Sequence, residues 1–219
     1  MSAELWEAII MGLFGGLVGS FLNVCITRLP AELSVVTPRS RCPRCQLMIA
    51  WYDNVPVLSW LLLRGRCRQC HEPISLLYPM VELVTAAAWA WFGWKYGLGL
   101  LGLEGALFIT LLIGIAMTDA REYIIPDEFT IGGLILGLLF SVTGGVPSVL
   151  QAVLGGVVGF GLLWLVGAAG TWAFKEEAMG GGDIKMMAMV GAFVGWQGVL
   201  LPVFLGALTG AAVFLPVSL

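Results

Sequence analysis

The sequence predicts an all-α polytopic membrane protein with about seven transmembrane helices and one small cytosolic insertion. Three observations carry this. Of 219 residues, 59% are hydrophobic and 11% charged, against roughly 45–50% and about 25% in a soluble domain. The mean hydropathy is +0.94. The apolar residues fall in long runs rather than alternating. So few charges cannot cover a water-facing surface, which excludes a simple soluble domain and a disordered chain. A nucleic-acid partner is also excluded, since it needs a basic stripe. Thirty Gly and nine Trp suit close helix contacts and membrane interfaces.

A spanning helix needs about 20 mostly apolar residues. Seven runs qualify as candidates: Leu5–Thr27, Leu77–Trp94, Leu98–Thr118, Phe129–Val142, Val149–Phe174, Ile184–Gly195 and Val199–Leu215. The fourth and sixth are short. The first does not read as a secretory signal. Glu4 and Glu7 stand where positive charge is expected, and no small-residue cleavage site follows. The domains expected are residues 1–29 (first helix), 30–76 (cytosolic segment) and 77–219 (remaining helices).

Basic residues fix the orientation. With the N-terminus outside, segments 28–76, 119–128 and 175–185 and the C-terminus lie inside. They hold Arg28, Arg39, Arg41, Arg44, Arg64, Arg66, Arg68, Arg121, Lys175 and Lys185, and only Lys95 lies outside.

Residues 30–76 contain Cys42-Pro43-Arg44-Cys45 and, after 21 intervening residues, Cys67-Arg68-Gln69-Cys70. Two such knuckles let four thiolates surround one Zn²⁺. A cytosolic position disfavours permanent disulfides. Four thiolates leave no open coordination position, so the zinc is expected to be structural. His71 reads as a surface or supporting residue and Cys25 as a packing residue.

Acidic residues within a bundle are costly and mark function. Asp119 ends the third run and Asp183 opens the sixth, after Gly180-Gly181-Gly182. In the N-out topology both fall at the cytoplasmic face. Two facing carboxylates share a proton, so one can activate water while the other polarises a carbonyl. The alternative for Asp183 is a helix cap, and Asp127 reads as a cap. Glu82 and Asn23, near the cytoplasmic ends of their helices, are either functional or interhelical hydrogen-bonding groups. Glu104 reads as a solvated residue at the outer interface.

These residues form an ordered series: Gly19-Ser20-Phe21-Leu22-Asn23-Val24; the first knuckle; Asn54-Val55-Pro56 through Trp60 to Arg64-Gly65-Arg66 and the second knuckle; Tyr78-Pro79-Met80-Val81-Glu82; Asp119 through Pro126-Asp127; and Gly180 through Asp183 to Lys185. The series resembles the prepilin peptidase family, the bifunctional leader peptidases and N-methyltransferases of type IV pili and type II secretion. It covers most of the chain.

The resemblance implies that Asp119 and Asp183 are the catalytic pair of a GxGD-type intramembrane aspartic protease in the bacterial inner membrane, N-terminus periplasmic. It implies S-adenosylmethionine as methyl donor, with Gly65 and Glu82 as candidates for methyl transfer. The implied substrates are prepilins and pseudopilins. These carry a short basic leader, a cleavage point after Gly, a Phe-like first mature residue and a Glu at the fifth mature position. Membrane lipid is the other partner, and nucleic acid is not one. The family usually continues past the seventh run with an Ile-Pro-Phe-Gly-Pro-like stretch and an eighth helix. Here the sequence ends at Phe214-Leu215-Pro216-Val217-Ser218-Leu219, so that helix is expected to be missing or truncated.

Two other readings compete. A transporter would relay protons or ions through Asp119, Asp183 and Glu82, but needs polar groups at mid-membrane and on both sides. Here they gather at the inner edge. A zinc-stabilised scaffold without chemistry is the third.

Overall fold

The computed structural model describes residues 2–214, with side chains through 206. Among these the regular elements are helical, apart from isolated bridges in the segment 30–76. The α-helices are α1 (Ala3–Arg28), α2 (Leu58–Leu62), α3 (Leu77–Tyr96), α4 (Leu100–Glu122), α5 (Asp127–Thr143), α6 (Val149–Phe174) and α7 (Gly181–Phe214). The sixth and seventh expected runs both lie in α7. Gly195, at φ 73° and ψ 170°, breaks it between them. This conformation is open to glycine, and no helix passes through it. Ala3–Ala31, Leu100–Glu122, Val149–Phe174 and Gly181–Gly206 are long and apolar enough to cross a membrane. The expected end of the last run at Leu215, and the segment 215–219, lie outside the described residues.

The chain divides into two compact units, one ending at Pro126 and the other beginning at Asp127. In the first, α1 packs along α3, and α4 closes against both. Small residues let the backbones approach. A Cβ on Gly15 would stand 2.5 Å from Trp89 Cβ, and one on Gly19 would stand 2.9 Å from Glu82 Cα. Met11, Trp89 and Ala106 form the core of this contact. Trp89 Nε1 donates to Thr110 Oγ1 at 2.8 Å, tying α3 to α4 without leaving the indole N–H unpaired. Asn23 Nδ2 donates to the Tyr78 carbonyl at 3.0 Å and ties α1 to α3, as an interhelical hydrogen-bonding residue would.

Glu104 corrects one expectation. It is only 3% exposed, because α4 packs against α1 and α3, so it is not a solvated interface residue.

In the second unit, α7 packs on α6 and α5. A Cβ on Gly191 would collide with the Gly155 carbonyl, so the α6 and α7 backbones are in direct contact. The α6 start is held by a reciprocal cap, in which Gln151 N–H donates to Ser148 Oγ and Ser148 N–H to Gln151 Oε1.

Candidate functional site

The two CxxC knuckles fold alike. Gln46 N–H donates to the Cys42 carbonyl (2.9 Å) and Cys42 N–H to the Leu47 carbonyl (3.0 Å). In the second knuckle His71 donates to Cys67 (3.0 Å) and Cys67 to Glu72 (2.9 Å). Gln46 and His71 both take positive φ, 59° and 55°. Each knuckle is closed by a bridge, Arg41 to Met48 and Arg66 to Pro73. The repeat brings the Sγ atoms of Cys42, Cys45, Cys67 and Cys70 within 4.8 Å of one another, the arrangement of four ligands round one metal ion. The Cys45 backbone N–H, opposed by burial, brings the Cys42 thiol down to about 7. The Glu72 backbone N–H lowers Cys70, but burial and the neighbouring thiols outweigh it and push Cys70 up to about 11. A cation would favour the thiolates and release this tension. His71 is exposed and Cys25 is buried in α1, which fits the surface and packing roles expected of them.

Below the knuckles, within the first unit, lies a cavity of about 580 Å³. Tyr52, Asp53, Trp60 and Arg68 of the segment 30–76 line it, with Asn23 of α1, Glu82 of α3 and Arg121 of α4. Glu82 is buried, 9% exposed. Its Oε2 accepts the Val57 N–H at 2.8 Å. Val57 sits at φ 60° and ψ −49°, a strained γ-turn conformation for a β-branched residue. The strain is placed where the turn aims its amide at this carboxylate. Arg68 Nε and Nη2 hold Asp53 at 2.7 and 2.6 Å, and this hydrogen bonding keeps the Asp53 carboxyl below its ordinary value despite burial. The Arg68 guanidinium also lies 5.6 Å from the Tyr52 ring centroid. Gly65, at φ 66°, does not line the cavity. It lies behind Trp60: a Cβ there would stand 2.7 Å from Trp60 Cζ2.

Asp119 stands exposed in the last turn of α4, its carbonyl accepting the Tyr123 N–H at 2.9 Å. Asp183 stands in the first turn of α7, partly buried. The two belong to different units. In the second unit Lys185 Nζ contacts both oxygens of Asp127, at 2.7 and 2.9 Å. Asp127 is the first residue of α5 and an ion-pair partner. No sequence pattern marks this pair, because its members are 58 residues apart. The Asp53–Arg68 pair went unread for the same reason. The place of Trp60 had a faint signal, an aromatic just before Arg64-Gly65-Arg66.

Residues 13–96 match the bacterial peptidase A24 N-terminal domain. Residues 106–215 match the type IV leader peptidase family. The chain belongs to the type IV leader peptidase family. Three curated relatives share the name prepilin leader peptidase/N-methyltransferase. That of Myxococcus xanthus is 40% identical over 94% of this chain and 62% of its own length. That of Pectobacterium carotovorum is 38% identical over 96% and 83%. That of Neisseria gonorrhoeae is 34% identical over 92% of this chain, which spans 79% of that relative's length. No solved structure matches this leader peptidase family member.

Proposed function

We propose that this chain cleaves the leader from prepilins or pseudopilins at the cytoplasmic face of the bacterial inner membrane and N-methylates the new terminus. The observation that carries the reading is the chain's match to relatives of that name over more than nine-tenths of its length. Nothing favours the transporter. The N-terminus is periplasmic, on the basic-residue asymmetry.

Asp119 and Asp183 are the catalytic pair in this proposal. Each occupies a helix end that the N-out topology assigns to the cytoplasmic side, where a leader awaiting export lies. One carboxylate takes a proton from the attacking water. The other, protonated, donates to the scissile carbonyl; the first then passes the proton it took from water to the leaving amine, and the second recovers its own proton as the carbonyl re-forms. The products are a free leader and a mature chain with a new amino terminus.

Zn²⁺ is the metal that the four cysteines would hold. Ligands at 2.3 Å in a tetrahedron lie about 3.8 Å apart, and Cys42 Sγ and Cys70 Sγ are separated by 3.7 Å. With all four positions filled by sulfur, the ion would brace the cytosolic segment and do no chemistry.

S-adenosylmethionine, when bound, supplies a methyl group on a positively charged sulfur. The pilin amine forms the new C–N bond while the C–S bond breaks, and that electron pair stays on sulfur. The amine must lose a proton before attack. Glu82, with one oxygen held by Val57, would bind the ammonium or accept that proton. Gly65 supports this site.

Cleavage of a synthetic prepilin by the purified protein tests the proposal. Asp119→Asn and Asp183→Asn should each lower the rate by about a thousandfold or more, with unchanged helical circular dichroism. Wild-type rates in both variants would refute the pair.

A further inference from the structure

We infer that the cavity beneath the two knuckles is the binding site of the methyl donor, and that Gly65 acts on it from behind by fixing Trp60 in its wall. The inference rests on the methyltransferase half of the proposed function and adds where the donor sits.

Size and chemistry both fit. The cavity, about 580 Å³, lies within the roughly 300–1,000 Å³ common for small-molecule sites. An adenosyl sulfonium offers a flat base, a cationic sulfur and an amino-acid end. The wall offers two aromatic rings, Tyr52 and Trp60, for the base. It offers the Glu82 carboxylate for the positive sulfur, and Arg121 for the donor's carboxylate.

The wall is also built before any ligand arrives. Trp60 Nε1 donates to the Ile74 carbonyl at 3.2 Å. Tyr52 is covered by Arg68, which Asp53 grips with both oxygens. Glu82 is anchored by the strained Val57 turn. Groups held in this way lose little freedom on binding.

Gly65 enters through Trp60 alone. Its N–H donates to the Trp60 carbonyl at 2.8 Å. Its φ of 66° disfavours a side chain, and any Cβ would stand 2.7 and 3.0 Å from two ring carbons. The ring would have to move, and with it the cavity wall. Gly65 is therefore a positioning residue.

Arg121 adds a spatial consequence. It follows Asp119 by two residues on α4, so the donor cavity borders the helix end that carries one catalytic aspartate.

The test is equilibrium dialysis of labelled S-adenosylhomocysteine against the full chain in detergent, with no pilin present. Trp60→Ala and Gly65→Ala should each raise Kd by about tenfold or more. Both should keep their zinc and cleave prepilin within about twofold of wild type. Leu62→Ala, on a residue 82% exposed and outside the cavity, should bind normally. In the Trp60→Ala background Gly65→Ala should add nothing, because the ring it positions is gone. An undiminished Gly65 effect in that background would overturn the indirect role. Wild-type affinity in both single variants, in an enzyme that still methylates, would overturn the cavity assignment alone. A wild-type protein that neither binds the analogue nor methylates pre-cleaved pilin would instead remove the methyltransferase reading beneath it. If Gly65→Ala loses zinc and cleavage together, photolabelling of the wild type with an azido-adenine analogue decides. Label within residues 51–64 upholds the site, and label confined elsewhere refutes it.

Discussion

Lys185 reaches across from α7 to both carboxylate oxygens of Asp127 on α5, at 2.7 and 2.9 Å. It lies two residues after Asp183 and Asp127 begins its helix, so one bidentate ion pair ties together the starts of two helices. Both partners are about half exposed, 42% and 54%. Its energetic worth is therefore small, under about 1 kcal/mol. Its value is geometric: it fixes the turn that carries Asp183.

Lys185→Met should accordingly separate stability from activity. Thermal unfolding in detergent should change little. Prepilin cleavage should fall by about ten- to a hundredfold, since small misplacements of a reacting group cost that much. A large loss of thermal stability with normal cleavage per folded molecule would assign the pair to stability instead.

Metal retention should fall with acidification. Cys42 is lowered to about 7 and Cys70 raised to about 11 in the metal-free cluster, and a metal ion binds thiolates only. Below the lower of these values protons compete for every sulfur, so affinity for the ion should weaken as pH falls below 7 and the ion should be lost only in more acid solution. Loading near pH 8 should release fewer than four protons per zinc, Cys42 being already largely ionised. Elemental analysis against pH, with proton release by calorimetry, checks both. Stripping should loosen residues 40–74 in hydrogen exchange and leave the α1–α3 contact protected.

The Asp53–Arg68 pair gives a second pH dependence. Asp53 is held below its ordinary range by the Arg68 hydrogen bonds. A depressed folded-state value stabilises above the unfolded-state value, about 3.9, and that contribution is lost as pH falls through the folded value. The turn Trp51–Asn54 should therefore stay ordered at neutral pH and loosen only in acid. Arg68→Met should move that loosening to higher pH, read by hydrogen exchange of residues 51–54, and should weaken donor binding without slowing cleavage.

Gly191→Val should be among the most damaging changes in the second unit. Its missing Cβ lets α7 meet the Gly155 carbonyl of α6, and overpacking such a contact costs about 1–3 kcal/mol or more. Gly132→Ala on α5, where no atom lies within 4 Å of the added Cβ, should be tolerated. Comparable melting temperatures for the two variants would refute the close contact.

Much of this protein was legible in one dimension. Apolar runs near 20 residues specify helices in lipid, because backbone groups there must be satisfied within the segment. Val149–Phe174 stands where the run was drawn. Two CxxC pairs specify a four-thiol cluster, because ligand chemistry and knuckle geometry are local. Other features depend on which segments meet. Glu104 looked like a water-facing acid by its place near a helix end, and is buried because α4 closes on α1 and α3. Gly65, a candidate for methyl transfer by its motif, stands behind Trp60 because the second knuckle folds back over that ring. Glu82 meets Val57 through a strained turn 25 residues away in sequence. The sequence by itself determined the helices, the thiol cluster and the acidic candidates, since each follows from local composition and spacing. Only the tertiary structure decided which polar groups share a cavity and which salt bridges brace it, because those contacts join residues that no sequence period relates.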